Sequence, residues 1–233
     1  MKLSIAAVLV TCLLSVAAPA TAQDLRLEPV EPEGAGFFAI GGSWLDIDEL
    51  NDALGSAGYP TFGGGGLTLG GGGYGVHRGR LLLGGEGYAV ISGEEAVAGR
   101  TVTYGGGYGL FNIGYMIAPT PTTRVYPLFG IGGGGASLRI GARATEDSFG
   151  DVLDNPGRTA SLNRGSLLLS FGIGAEYRLR RDEHGLMFGV RAGYRAAPLT
   201  SAWRLDQNAI GGGPDSSLAG PFVLFMIGGA GPQ

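Results

Sequence analysis

The sequence has a single cysteine, Cys12. One thiol builds no disulfide framework and no cysteine-based metal site. Lysine is as scarce, with Lys2 the only one, and histidine occurs twice, as His77 and His184. Charged residues make up 15% of the chain, against about 25% in an ordinary soluble domain. No basic stripe is present, so a nucleic-acid partner is not expected. The most apolar stretch, Leu3 to Val16, is shorter than the roughly 20 residues of a spanning helix.

What fills the chain instead is glycine. There are 47 in 233 residues, about three times the usual share. They follow no third-position period, which excludes collagen. The hydrophobic fraction, 44%, excludes a disordered polar chain. Residues 1–22 read as a signal peptide. Lys2 gives the positive start, Leu3 to Val16 the apolar run, and Ala20-Thr21-Ala22 the small-residue cleavage site. The mature chain then starts at Gln23 and carries 15 arginines against 20 acids, a net charge of −5. Residues 23–35, with two prolines and four acids, read as an extended tail.

Eight apolar, glycine-rich segments follow, at about 36–45, 65–76, 81–91, 102–116, 125–138, 167–178, 186–194 and 221–229. None has a helical period, and several alternate with period two, the mark of a strand. In the sixth, Leu167, Leu169, Phe171, Ile173, Ala175 and Tyr177 share one face, opposed by Ser170, Gly172, Gly174, Glu176 and Arg178. In the seventh, Leu186, Phe188, Val190, Ala192 and Tyr194 oppose Met187, Gly189, Arg191 and Gly193. Only Glu86, Glu176, Arg178 and Arg191 bring charge into the segments. The last three lie on the less apolar face; Glu86 shares its face with Leu82, Tyr88 and Val90. The connections alternate long and short: 46–64, 92–101, 139–166 and 195–220 against 77–80, 117–124 and 179–185. An apolar outer face, a polar inner face and this alternation predict an all-β, closed antiparallel up-and-down transmembrane β-barrel of eight strands over 36–230. The sheet must close because hydrocarbon cannot satisfy an open edge.

By this architecture the chain resembles the small eight-stranded outer-membrane barrels of the OmpA and OmpX type. The resemblance implies the outer membrane of a Gram-negative bacterium and a periplasmic tail at 23–35. It also implies contact with outer-membrane lipid and lipopolysaccharide, and assembly by the barrel assembly machinery. Tyr115, Tyr126 and Tyr177 would form an aromatic girdle at the periplasmic end. One departure is the C-terminal run from Phe222 to Gln233, which lacks the final aromatic residue usual in such barrels.

The candidate site is the polar lumen set Glu86, Glu176, Arg178 and Arg191. A turn centred near 183–184 would set Glu176 directly opposite Arg191. The expected role is structural, a satisfied network that plugs the barrel; the alternative is a gate on a narrow ion path. Glycine runs such as 70–73, 105–107 and 132–135 would make room for large lumen side chains. Gly130-Ile131-Gly132-Gly133-Gly134-Gly135 matches a nucleotide-loop pattern, but no β-α-β context surrounds it. Both histidines fall in short turns, away from a Ser-His-acid arrangement, so no catalytic residue is assigned. Asp46, Asp48, Glu49 and Asp52, like Glu146, Asp147, Asp151 and Asp154, read as solvated loop acids. Asn51 and Ala57 stand where a calcium loop needs Gly and Glu, so no metal or other cofactor is expected. Trp203 reads as a contact residue or a lid over the mouth. The expectation is a non-enzymatic envelope or surface-contact protein whose ligand the sequence does not disclose. The alternatives are a narrow channel, a lipid-modifying enzyme, and a soluble lipocalin-like carrier with Leu167, Phe171, Leu186 and Phe188 buried.

Overall fold

A computed structural model describes residues 34–97, 99–117, 119–120, 122–142, 159–179, 185–206 and 208–231. The signal peptide, most of the tail, His184 and the acids at 146–154 lie outside the described residues. Eight long strands make the barrel: β1 (Gly34–Trp44), β2 (Gly65–His77), β3 (Leu81–Val97), β4 (Arg100–Tyr115), β5 (Thr123–Ala142), β6 (Thr159–Leu179), β7 (Gly185–Thr200) and β10 (Gly220–Ala230). Each pairs antiparallel with its chain neighbour, and β10 pairs with β1 to close the ring. Two short strands, β8 (Trp203–Leu205) and β9 (Asn208–Ile210), extend β6 beyond the ring.

Alternation sets the two faces. Phe38, Ile40, Phe111, Ile131, Ile173, Phe188, Phe225 and Ile227 point outward, and Phe225 and Ile173 are each 62% exposed. Glu176, Arg178, Arg191 and Arg195 point inward and are at most 4% exposed. This is the reverse of a soluble barrel, whose apolar side chains fill the inside. The carrier alternative is overturned here: Leu167, Phe171, Leu186 and Phe188 all lie exposed on the outside.

β5 and β6, of 20 and 21 residues, are about twice the length a bilayer requires. The expected loop at 139–166 is therefore partly strand, with pairs such as Arg139↔Ser161 continuing the ladder. Polar residues on the outward face let the hairpin run on beyond the apolar belt into water. The first long connection also differs from its expected loop. Residues Asp48–Ser56 form helix α1, which buries Leu50 and Leu54 and carries Asp48 and Glu49 in its first turn, where carboxylates suit the helix dipole. Leu45, Ile47, Phe62, Tyr104, Trp203 and Leu218 are buried with them, so the long-connection end carries a packed cap. Asp46, Asp48, Glu49 and Asp52 remain exposed on it.

Within the barrel, large inward side chains face glycines on neighbouring strands. Tyr74 pairs with Gly84, Tyr88 with Gly70, Glu86 with Gly72, Tyr108 with Gly134, Tyr126 with Gly174 and Glu176 with Gly189. A Cβ added at Gly174 would lie 2.3 Å from the Tyr126 ring. The nucleotide-like run Gly130–Gly135 is part of this scheme, an interior stretch of β5 and not a loop.

Candidate site in the barrel lumen

The inward face of a narrow barrel is a column of side chains, and here it is organised around charge. Nearest the short-turn end, Glu176 accepts hydrogen bonds from the hydroxyls of Tyr74 and Tyr126, one on each carboxylate oxygen. Arg178 donates to the Tyr74 hydroxyl at 3.1 Å, and Arg124 is buried at the same end. In the middle, Arg191 donates from Nη1 to Glu86 Oε2 at 2.6 Å and from Nε and Nη2 to the Tyr126 hydroxyl at 3.2 Å. Its guanidinium also lies 4.6 Å from the Phe37 ring centre. Toward the cap, Tyr88 donates to Glu86 at 3.2 Å and packs on Tyr108 with ring centres 5.2 Å apart. Arg195 then donates to the Tyr108 hydroxyl, to Ser43 Oγ at 2.7 Å and to the Leu218 carbonyl at 3.2 Å. Buried charge of this kind is tolerable only when its hydrogen-bonding capacity is met by partners.

All four expected residues, Glu86, Glu176, Arg178 and Arg191, thus meet in the lumen. Their pairing differs from expectation. Strands β6 and β7 are in register with Leu179 opposite Leu186, which sets Glu176 against Gly189 and Arg191 against Gly174. Glu176 and Arg191 are diagonal neighbours 3.9 Å apart, and the closer partner of Arg191 is Glu86. The observed register puts Glu176 and Arg191 each opposite a glycine, where a direct Glu176–Arg191 pair would crowd two long side chains at one level.

Arg124, Arg195 and the tyrosines Tyr74, Tyr88, Tyr108 and Tyr126 belong to the network and were not assigned to it from sequence. Arg124 and Arg195 each stand one residue beyond a segment end. Continuing the inward face one step past Gly193, or one step before Tyr126, would have found both. Tyr126 is also a correction: it is fully buried in the lumen and forms no part of a girdle, whereas Tyr115 and Tyr177 lie outward at the short-turn end, 48% and 51% exposed. Its even number places it inward on β5, whose outward residues are odd.

The network leaves little room. A void of about 10 Å³ lies among Phe37, Tyr74, Glu86, Asn112 and Arg191, space for about one water molecule. Asn112 Oδ1, buried without a protein partner, belongs to a residue lining that void. His77 closes β2 at the short-turn end, exposed and paired with Leu81. Among the described residues no group of three or more metal-type ligands comes together. Trp203 lies beneath the cap, 4% exposed, with Nε1 donating to the Pro214 carbonyl at 2.8 Å.

A closed sheet with an apolar belt outside and paired charges inside has the form required of a strand-built protein in lipid. The chain is an eight-stranded outer-membrane-type β-barrel. No protein-family model and no curated protein sequence matches it. Among solved structures it is similar to Ail, the attachment invasion locus protein of Yersinia pestis, with 15% identity over 87% of this chain and 99% of Ail, at a TM-score of 0.46. It is also similar to the outer-membrane protease OmpT of Escherichia coli, with 11% identity over 90% and 98% of the two chains and a TM-score of 0.33. CarO of Acinetobacter baumannii gives 11% identity, 85% and 97% coverage and a TM-score of 0.33.

Proposed function

We propose that this barrel is a non-conducting, non-enzymatic protein of the Gram-negative outer membrane that anchors a folded cap at the cell surface. Its long-connection end faces outward and its short turns face the periplasm, the usual disposition of such barrels. The observation that carries this reading is the filled lumen. Four arginines, two glutamates and four tyrosines from six of the eight ring strands are packed across it. An aqueous path would require several of these charge-assisted bonds to open together.

The cap supports the second half of the reading. It has its own apolar core and its own ties to the barrel. Arg164 alone donates to the carbonyls of Ser201 and Pro214, to Thr200 Oγ1 and to Asp215 Oδ1. Asn51 exchanges two hydrogen bonds with the Phe62 backbone, at 2.9 and 3.0 Å. A surface so fixed presents a defined shape to a partner.

Conductance of the purified full-length protein in planar bilayers tests the proposal. The expected record shows no discrete steps, while the variant Glu86→Ala/Arg191→Ala/Tyr126→Ala, which empties the middle of the lumen, passes ions. Ohmic steps in the wild-type protein at neutral pH would overturn it.

A further inference from the structure

Asn112 points into the lumen from β4 and is 6% exposed. It lies opposite Gly84 on β3 and opposite Gly130 on β5. The second glycine is needed to seat the amide, because a Cβ at Gly130 would run into Asn112 Oδ1. Yet Oδ1 accepts a hydrogen bond from no described residue. Leaving a buried carbonyl oxygen unpaired costs about 1–3 kcal/mol, so a residue kept in this seat calls for a partner. Glu86 is the diagonal neighbour of Asn112 across β3 and β4, two residues on from Gly84, within reach of a long side chain. It is also half used. Both of its hydrogen bonds, from Arg191 Nη1 and from the Tyr88 hydroxyl, fall on Oε2. Oε1 receives none from the described residues. Two acceptors without donors therefore border the same void of about 10 Å³, with Arg191 also in its wall.

The chemistry of the wall selects the occupant. An anion would face a carboxylate oxygen and an amide oxygen, neither of which can donate. A cation would face the guanidinium of Arg191, which cannot give up its charge. A neutral molecule of one heavy atom with two donor hydrogens meets both acceptors. Arg191 can supply the donor that such a molecule accepts from. Three of its five N–H groups are engaged, by Tyr126 and Glu86, which leaves two. We propose that this void is a built site for a single water molecule, which donates to Asn112 Oδ1 and Glu86 Oε1 and accepts from Arg191. Three such bonds are the usual complement of a buried water, and the void has about the volume that one requires. The water joins Asn112 to the charge network and fixes the Glu86 carboxylate that faces Arg191. The site needs only a closed lumen and holds whichever end of the barrel faces outward.

A crystal structure of the full-length protein, at a resolution that shows ordered waters, tests the site. The expected result is one peak within about 3.2 Å of both Asn112 Oδ1 and Glu86 Oε1, with no anomalous signal after soaking in bromide or rubidium. Asn112→Leu, with a closed barrel confirmed by heat modifiability on a detergent gel, should lose the peak. A second measurement covers a variant that fails to fold. In wild-type protein labelled with ¹⁵N-asparagine and reconstituted in phosphatidylcholine, solid-state NMR magnetisation selected on water should reach the Asn112 side chain as it reaches exposed Asn163. An empty void with both oxygens in place, or Asn112 turned onto a protein donor, would overturn the site. A bromide or rubidium peak there would replace water by an ion and overturn it equally. A peak that persists in Asn112→Leu, or transfer to Asn163 without transfer to Asn112, would remove Asn112 from it.

Discussion

Arg191 is the residue on which most of the lumen depends. It bridges Glu86 and the Tyr126 hydroxyl and lies 3.9 Å from Glu176. Attraction inside a protein is offset by desolvation, so such a network is not in itself a large source of stability. Removing its cation is another matter, because two buried carboxylates lose their nearest balancing charge. Arg191→Met is expected to destabilise the barrel by about 3–5 kcal/mol, read from urea unfolding in detergent. Replacing Glu86 and Glu176 by Gln in the same chain should restore much of the loss. A single variant as stable as the wild type would mean that the network carries no unmet charge when broken. Gly174 gives the steric counterpart. A methyl there meets the Tyr126 ring at 2.3 Å, so Gly174→Ala must displace the ring from Glu176. The expected cost is about 1–3 kcal/mol, typical of overpacking, and Tyr126→Leu in the same chain should lessen it. Gly220 is constrained by backbone: its φ is 132°, and a Cβ would fall 1.7 Å from the Trp44 carbonyl oxygen.

At the scale of elements, the eight strands were legible because alternation in a lipid-facing sheet is enforced on both faces. Phe171 must meet hydrocarbon and Glu176 must not, and that contrast is written in every second residue of β6. Strand ends were less legible. Beyond the belt the outward residues Ser137, Arg139, Asn163 and Ser161 are polar, so the contrast between faces fades although the ladder continues. Helix α1 was hidden for a different reason. Its apolar stripe has only Leu50 and Leu54, too short to show a period, and they are buried in one cluster with Tyr104, Trp203 and Leu218 from distant parts of the chain. Register was the hardest feature to read, since it is settled by which large residue faces which glycine across strands. The cap yields its own prediction. Arg164 ties β6 to the segment Ser201–Asp215 through its guanidinium, and Arg164→Ala removes all of those bonds at once. Limited proteolysis of the reconstituted variant should then cut within 201–219, while the wild type resists and both retain a heat-modifiable barrel. Equal resistance in the two proteins would show that the apolar core of the cap holds it without Arg164.

For the whole molecule, the decisive property is that its solvent is different on its two faces. The lumen is a small polar interior, and the outer belt is stable only in contact with chains as apolar as itself. Phe225 sits at the midpoint of β10 and is 62% exposed, so it marks the middle of the belt. Phe225→Arg places a cation where a bilayer midplane would be, at an expected cost of about 2–4 kcal/mol, measured by folding equilibrium into phospholipid vesicles. The same substitution in detergent micelles, whose interface adapts around a charge, should cost less. Phe225→Leu keeps the surface apolar and should leave both equilibria nearly unchanged. If Phe225→Arg were instead harmless in vesicles, β10 would have to face water there, and a belt that closes around all eight strands would be the wrong description of how this barrel meets its surroundings.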